Sequence, residues 1–269
     1  MEYPRRLGEM LDRAMKDPEG FWAEAAGELH WFKTWDRVLE WNYPDFRWFL
    51  GGITNLSYNC LDHNVLQKGR GQKASIVWES GETGESRSYT YSQLLESVKK
   101  LAAALRALGV GKGDRVTIYM PMVPEAVVAM LASTRIGAVH SVVFGGFGAG
   151  ALANRIVDAQ SKVVVTADVA FRRGKGVKLK PVVDEALQQT PSQVKKVVVL
   201  KRTSGEPPMR NGRDLYWDEA IDAGLSESSD HVPLESNELA FILHTSGTTA
   251  KPKGTVQPHG SYQVYIHSM

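Results

Sequence analysis

The sequence predicts an α/β fold in which a parallel sheet is flanked by helices. Three observations point there. From about residue 74, short apolar runs rich in β-branched residues, such as 139–144, 162–166 and 194–200, alternate with longer stretches of helical period. The apolar runs are continuous, as expected of strands covered on both faces. Prolines and glycines punctuate the junctions where helices would open and close.

Taken in order, residues 1–65 stand apart as an aromatic-rich N-terminal arm. Five of the seven tryptophans (Trp22, Trp31, Trp35, Trp41, Trp48) lie there, with few aliphatic periodic runs. Large aromatics without aliphatics fit an arm lying on a larger body better than a separate core. Residues 66–269 form the α/β region. Residues 74–78 and 86–89 read as a hairpin around Gly81 and Gly84. Thr90 opens a helix with Gln93 three residues on, a capping-box spacing. Leu94, Leu95, Val98, Leu101, Ala102, Leu105 and Leu108 share one face, and Gly109 closes the helix. A strand over 114–120 is followed by Pro121 and Pro124 and a helix to about Ile136. A strand over 139–144, a helix over 149–159 and a strand over 162–166 come next. A helix from Val177 to about Gln189 and a strand over 194–200 complete this alternation. Residues 202–235 read as a polar connection with one short helical piece near Trp217. The last predicted strand covers 238–244.

Composition narrows the function classes. Hydrophobic content of 43% and charge of 23% are ordinary for a globular protein. A net charge of +2 gives no global drive towards nucleic acid or membrane. The single cysteine, Cys60, cannot form an internal disulfide, which fits a reducing, cytoplasmic setting. No apolar run reaches the length of a membrane span, and residues 1–6 lead into no secretory h-region. The seven histidines show no metal-ligand spacing, so His140, His244, His259 and His267 are expected to pack or hydrogen-bond.

The most informative segment is 241–254, an apolar run entering hydroxyls, glycines and lysines. Backbone N–H groups of a glycine turn can form a concave anion site. Thr245, Ser246, Thr248 and Thr249 add hydroxyls, Gly247 and Gly254 add backbone freedom, and Lys251 and Lys253 add point charges for phosphate oxygens. Pro252 restricts the loop without removing either charge. No Gly-Lys-Ser/Thr ends the run, so it is not a P-loop of the NTPase type. By composition alone, a solvated Ser/Thr/Gly connector is the alternative. Two further stretches carry candidate chemistry. Residues 146–151 fit Gly-x-Gly-x-x-Gly/Ala, with Asp168 seventeen residues beyond, a pattern found in NAD-binding turns. Arg172, Arg173, Lys175, Lys178 and Lys180 cluster positive charge after a strand, either as a solvated face or as an anion site at the strand's carboxyl end.

Residues 242–254 resemble the signature loop of the acyl-adenylate-forming superfamily, Thr-Ser-Gly-(Ser/Thr)-Thr-Gly-Lys-Pro-Lys-Gly, with Ala250 standing where glycine is usual. If that position needs positive φ, Ala250 carries about 1 kcal/mol or more of strain. Residues 48–62, 119–125 and 136–147 resemble the acetyl-CoA and propionyl-CoA synthetase branch. The resemblance implies ATP, coenzyme A and Mg2+ as cofactors, with the metal ligands beyond this chain. It implies that Thr245, Ser246, Gly247, Thr248, Thr249, Lys251, Lys253 and Gly254 hold ATP phosphates. It places Phe144, Gly145 and Gly146 at the adenine end of coenzyme A, and Arg172, Arg173, Gly174 and Lys175 at its 3′-phosphate. Lys175 stands where the family has a second arginine, which keeps the charge and loses the bidentate fork.

The reaction so implied is AMP-forming ligation of acetate, propionate or another short-chain acid to coenzyme A through an acyl-adenylate. The adenine and acid pockets, the acidic magnesium ligand and the mobile C-terminal domain have no counterpart before Met269. The chain is therefore expected to be an incomplete N-terminal domain with no complete catalytic set and no turnover alone. A non-catalytic nucleotide- or CoA-binding module, or one half of a split enzyme completed by a C-terminal fragment, is the alternative.

Overall fold

A computed structural model of the chain describes residues 5–189, 193–245 and 252–269. The N-terminal part begins with helices α1 (Arg5–Lys16) and α2 (Pro18–Gly27). Asp17 caps α2 by accepting a hydrogen bond from Gly20 N at 2.9 Å, and Pro18 sits where a missing N–H costs nothing. Strands β1 (Arg37–Asn42) and β2 (Asp45–Leu50) form a hairpin. Trp31, Trp35 and Phe49 meet edge-on at centroid distances of 5.0 and 5.2 Å. This aromatic cluster closes on Val264, which comes from the far end of the chain.

The next segment fastens the N-terminal part to the body. Strand β3 (Ile53–Thr54) leads into a π-helical stretch, Tyr58–Gln67. The Asn55 side-chain amide reaches the carbonyls of Thr134, Arg135 and Val232 at 2.9–3.1 Å. Arg135 and Asp62 form a two-pronged ion pair at 2.7 and 3.1 Å, with side chains only 2% and 4% exposed.

The body follows the expected alternation closely. Strands β4 (Ala74–Glu79) and β5 (Ser86–Thr90) pair antiparallel. Helix α3 (Tyr91–Ala107) opens with a full capping box between Thr90 and Gln93. Then come β6 (Arg115–Met120), α4 (Pro124–Arg135), β7 (Val139–Phe144), α5 (Ala149–Ala159) and β8 (Val163–Ala167). Here the chain departs from expectation. The predicted helical turn at Val177 is instead a strand. Strands β9 (Val169–Arg172) and β10 (Lys175–Lys178) make a small antiparallel ribbon, and helix α6 (Lys180–Gln189) starts only afterwards. Consecutive positive φ values at Arg173 (52°) and Gly174 (70°) turn the ribbon sharply.

Strand β11 (Lys196–Leu200), a short edge strand β12 (Asp214–Tyr216), helix α7 (Trp217–Ala223) and strand β13 (Leu234–Glu235) follow. The expected connection over 202–235 thus contributes one strand to the sheet and another, β13, to a pairing with β3. Strand β14 (Leu239–Thr245) is not the last. Strand β15 (Lys253–Pro258) returns beside it, and helix α8 (His259–Ser268) follows.

Among the described residues the main sheet has seven strands in the order β12-β11-β8-β6-β7-β14-β15. Its pairings are parallel except for the antiparallel β14–β15 pair. Alternating side chains feed two cores. Val116, Ile118, Val163, Val165 and Val198 face α3, α4 and α7. Tyr119, Val164, Val197 and Val199 face α5 and α6 on the other side. Strands buried on both faces explain why their sequences are continuous apolar runs.

Candidate functional site

In a parallel sheet the carboxyl ends of the strands share one edge, and ligands bind in the crevice beyond it. Two of the sequence-selected groups leave strands at that edge, the glycine turn after β7 and the basic ribbon after β8, and Thr245 ends β14 there, opposite Lys253 of β15.

The first two come together in one cleft of about 530 Å³. Phe144, Gly145 and Gly146 form part of its wall, and Phe171 and Arg172 face them from the ribbon. The remaining wall is the β4–β5 turn with Trp78, and Pro121–Val123. The glycines here are required by space. A Cβ on Gly145 would lie 3.0 Å from the Met120 carbonyl oxygen. A Cβ on Gly146 would lie 2.5 Å from the Phe144 ring and 3.2 Å from Arg172 Nη1. The Arg172 guanidinium sits 5.9 Å from the centre of the Phe144 ring.

Buried groups hold the walls in place. Tyr119 lies under the glycine turn and donates its hydroxyl to the Phe147 carbonyl at 2.7 Å. Burial pushes that phenol up to about 12, so it remains a donor at any physiological pH. Trp78 donates its indole N–H to the Met122 carbonyl at 2.7 Å and carries the Arg87 guanidinium 4.7 Å above its ring. Arg202 lies 5.2 Å over Phe171 at the back of the ribbon.

Arg172 and Lys175 make no ion pair among the described residues. Arg172, an exposed cation beside an aromatic ring and two close-approach glycines, fits a ligand with a flat apolar part and a phosphate, whereas Lys175 does not line the cleft. Arg173 and Gly174 contribute differently. Their side chains do not line the cleft; their backbone N–H groups bond to Glu82.

Asp168 is occupied by structure. Its carboxylate accepts from Val169 N, Arg202 N, Thr203 N and the Thr203 hydroxyl at 2.7–3.0 Å, and the residue is 3% exposed. A ribose hydroxyl would have to displace those bonds, which argues against the NAD-type reading of the glycine turn. Of the fingerprint glycines, Gly146 faces close neighbours, whereas a Cβ on Gly148 would meet nothing within 4 Å.

Of the expected ATP-phosphate residues, Ser246, Gly247, Thr248, Thr249 and Lys251 lie outside the described residues, as does Ala250. Thr245, Lys253 and Gly254 frame the loop. Thr245 pairs with Lys253, and His244 with Gly254, in the β14–β15 ladder. The base of this hairpin is tied to α5 through His244 Nε2 and Asp158 Oδ2 at 3.0 Å. A Cβ on Gly254 would stand 3.1 Å from that same Asp158 oxygen. The other histidines pack or bond as expected. His140 stacks on Phe241 at 5.3 Å, the His259 ring accepts a bond from Leu56 N at 3.1 Å, and His267 meets Glu28 at 2.8 Å. Among the described residues no group of three His, Cys, Asp or Glu side chains is placed to hold a metal ion, and no helix is long and apolar enough to cross a membrane.

Sequence reasoning missed three contributors to the cleft: Glu82, Trp78 and Arg202. Their signal is topological, because each is brought to the cleft by a hairpin or loop distant in sequence.

Comparison with known proteins identifies the family. Residues 61–269 match the family model described as AMP-binding enzyme. Residues 7–60 match the acetyl-coenzyme A synthetase N-terminus. The acetyl-coenzyme A synthetase of Deinococcus radiodurans is 52% identical over 265 residues, covering 98% of this chain and 39% of the relative. That of Rubrobacter xylanophilus is 51% identical over 262 residues, covering 96% and 40%. The 3-hydroxypropionyl-coenzyme A synthetase of Sulfurisphaera tokodaii is 51% identical over 259 residues, covering 95% and 38%. The chain spans about 40% of the length of the curated relatives it matches. With a family match over residues 61–269 and the cleft and hairpin set at the carboxyl edge of the sheet, the chain belongs to the AMP-binding enzyme family of acyl-CoA synthetases.

Proposed function

We propose that this chain supplies the coenzyme A cleft and the ATP-phosphate loop of an AMP-forming ligase for a short-chain carboxylate. The observation that carries this reading is the convergence of Phe144, Gly145, Gly146 and Arg172 on one cleft at the carboxyl edge of the sheet. The names of the relatives support an acid of two or three carbons.

In this reading a carboxylate oxygen attacks the α-phosphorus of ATP. The acyl–phosphate bond forms as the α–β anhydride breaks and pyrophosphate leaves. The coenzyme A sulfur then attacks the acyl carbon and AMP departs with the bonding pair. The first step joins two anions, so its barrier falls through positioning and charge neutralisation. Thr245, Lys253 and Gly254, with the loop between them, hold the β- and γ-phosphates. Mg2+ would supply further neutralisation of the phosphate charge, with its protein ligands expected outside residues 1–269. Phe144, Gly145 and Gly146 receive the adenine end of coenzyme A, and Arg172 and Lys175 meet its 3′-phosphate. Arg173 and Gly174 shape the turn between them.

Residues 1–65 act as an arm on the α/β body, the ligands are small molecules, and the setting is cytoplasmic. Because the chain spans about 40% of its relatives, residues 1–269 alone are expected to bind ligand without turning over. Calorimetry tests the reading. Coenzyme A should bind residues 1–269 and Arg172→Ala should weaken it about tenfold, the loss of one charge-assisted contact. Lys253→Ala should weaken ATP and leave coenzyme A unchanged. Equal coenzyme A affinity for wild type and Arg172→Ala removes the assignment. Acetyl-CoA formation by the purified chain removes the expectation of inactivity.

A further inference from the structure

The ribbon of β9 and β10 is four residues on each strand and belongs to no larger sheet. Two-stranded ribbons of this length are marginal without support. Its root is held. Leu179 N donates to the Asp168 carbonyl at 2.9 Å, and Arg202 covers Phe171. The tip, which carries Arg172 and Lys175, projects beside the cleft.

Among the described residues, one side chain from another element hydrogen-bonds to the tip. Glu82, in the turn between β4 and β5, reaches across with both carboxylate oxygens. Oε1 accepts from Arg173 N at 2.7 Å and Oε2 from Gly174 N at 2.7 Å. Consecutive left-handed residues point successive N–H groups the same way, forming a small anion nest that the carboxylate fills. Those two bonds, from Gly174 first and Arg173 second, hold the Glu82 carboxyl below its ordinary range although it is exposed. Among the described residues the tip makes no other hydrogen bond to another element. Arg202 adds a longer link between the same hairpins, 3.8 Å from Glu85.

We propose that Glu82 is a positioning residue for the coenzyme A cleft, a latch that closes the β4–β5 turn onto the ribbon tip and presents Arg172 and Lys175 to the ligand phosphate. The proposal rests on the coenzyme A reading given above. Glu82 lines the cleft, but both of its carboxylate oxygens are taken up by the Arg173 and Gly174 amides. It holds a two-stranded tip in the one arrangement where the guanidinium lies by Phe144, so that less ordering is left for the ligand to impose. The specificity consequence is particular. The latch serves the phosphate-reading tip and leaves the glycine wall untouched, so its loss should erode discrimination between coenzyme A and 3′-dephospho-coenzyme A.

The test uses residues 1–269 with Glu82→Ala, Glu82→Gln and Arg172→Ala. Two readouts are taken: calorimetric Kd for both ligands, and hydrogen exchange of the Arg173 and Gly174 amides without ligand. The expected result is faster exchange at both amides in Glu82→Ala. Coenzyme A binding should weaken about tenfold, while dephospho-coenzyme A changes less than twofold. Glu82→Gln keeps one acceptor and should fall between wild type and Glu82→Ala. Unchanged amide exchange shows that there is no latch. Tighter coenzyme A binding in both Glu82 variants shows a carboxylate competing with the phosphate, which overturns a positioning role. If the amides respond but Arg172→Ala leaves coenzyme A binding unchanged, the latch exists and the ligand reading has failed, so the positioning role falls with it.

Discussion

Gly146 and Arg172 define the cleft at the scale of single residues, and they do so jointly. The missing Cβ of Gly146 is what lets the Arg172 guanidinium lie by the Phe144 ring. Gly146→Ala should therefore weaken coenzyme A binding by displacing Arg172 while leaving thermal stability nearly unchanged; a calorimetric Kd and a melting curve on the same sample check both halves. The sequence marked these residues through the glycine run and the basic cluster, but it could not mark Glu82. Nothing in the residues around Glu82 distinguishes it from any acidic turn residue, because its partners lie 91 and 92 positions away. The same holds for Asp62 and Arg135. Breaking their buried pair with Asp62→Ala leaves a guanidinium with almost no solvent, and should cost about 3–5 kcal/mol in urea unfolding.

Elements with their own start and stop chemistry were legible; elements defined by distant pairing were not. Helix α3 could be placed from Thr90, Gln93 and Gly109 because caps are local, and the structure has the capping box in place. Thr90→Ala should cost about 1 kcal/mol, read as a shift in urea midpoint without a change in slope. The sequence reading opens a helix at Val177, whereas Val177 belongs to β10 and α6 starts at Lys180. What decides otherwise is the turn at Arg173–Gly174, and β10 is wholly exposed, so no burial pattern announces it. Strands β12 and β15 are short or half-solvated and were hidden for the same reason. Gly224 is a further case. It reads as an ordinary turn glycine, yet a Cβ there would sit 2.5 Å from Ala104 N and 2.8 Å from Ala103 C on α3. Gly224→Ala should push α7 off α3 and cost about 1–3 kcal/mol, with α3 amides exchanging faster.

Across the whole molecule, two buried histidines have a charge state that matters for stability. His140 in β7 and His259 at the start of α8 are both buried, and burial pushes each from 6.5 down to about 3. His259 lowers His140 further by mutual repulsion of their charged forms. Both are neutral in the folded chain, whereas the unfolded chain binds protons from 6.5 downward. Stability is therefore full above pH 6.5 and declines as pH falls towards 3. Each histidine contributes a slope of about 1.4 kcal/mol per pH unit in that window. Urea unfolding between pH 7 and pH 4 should show the decline, and His140→Phe should make it shallower by about one proton. An unchanged slope in that variant would show that His140 is charged inside the fold.

A different kind of consequence follows from the buried cluster where α6 meets β12. Lys180 and Asp214 have fully buried side chains, and Arg213 and Asp184 complete the set. Burial alone would raise Asp214, and the bonds from Arg213 and Lys180 more than reverse that. Two cations and two anions cancel, so the cluster is neutral as a unit and no single member can change sign or vanish without stranding another. Drift at these four positions is thus constrained to matched steps. A lineage that loses one charge survives only by losing or swapping its counterpart, so in related genes the four codons should change as partners or stay as they are.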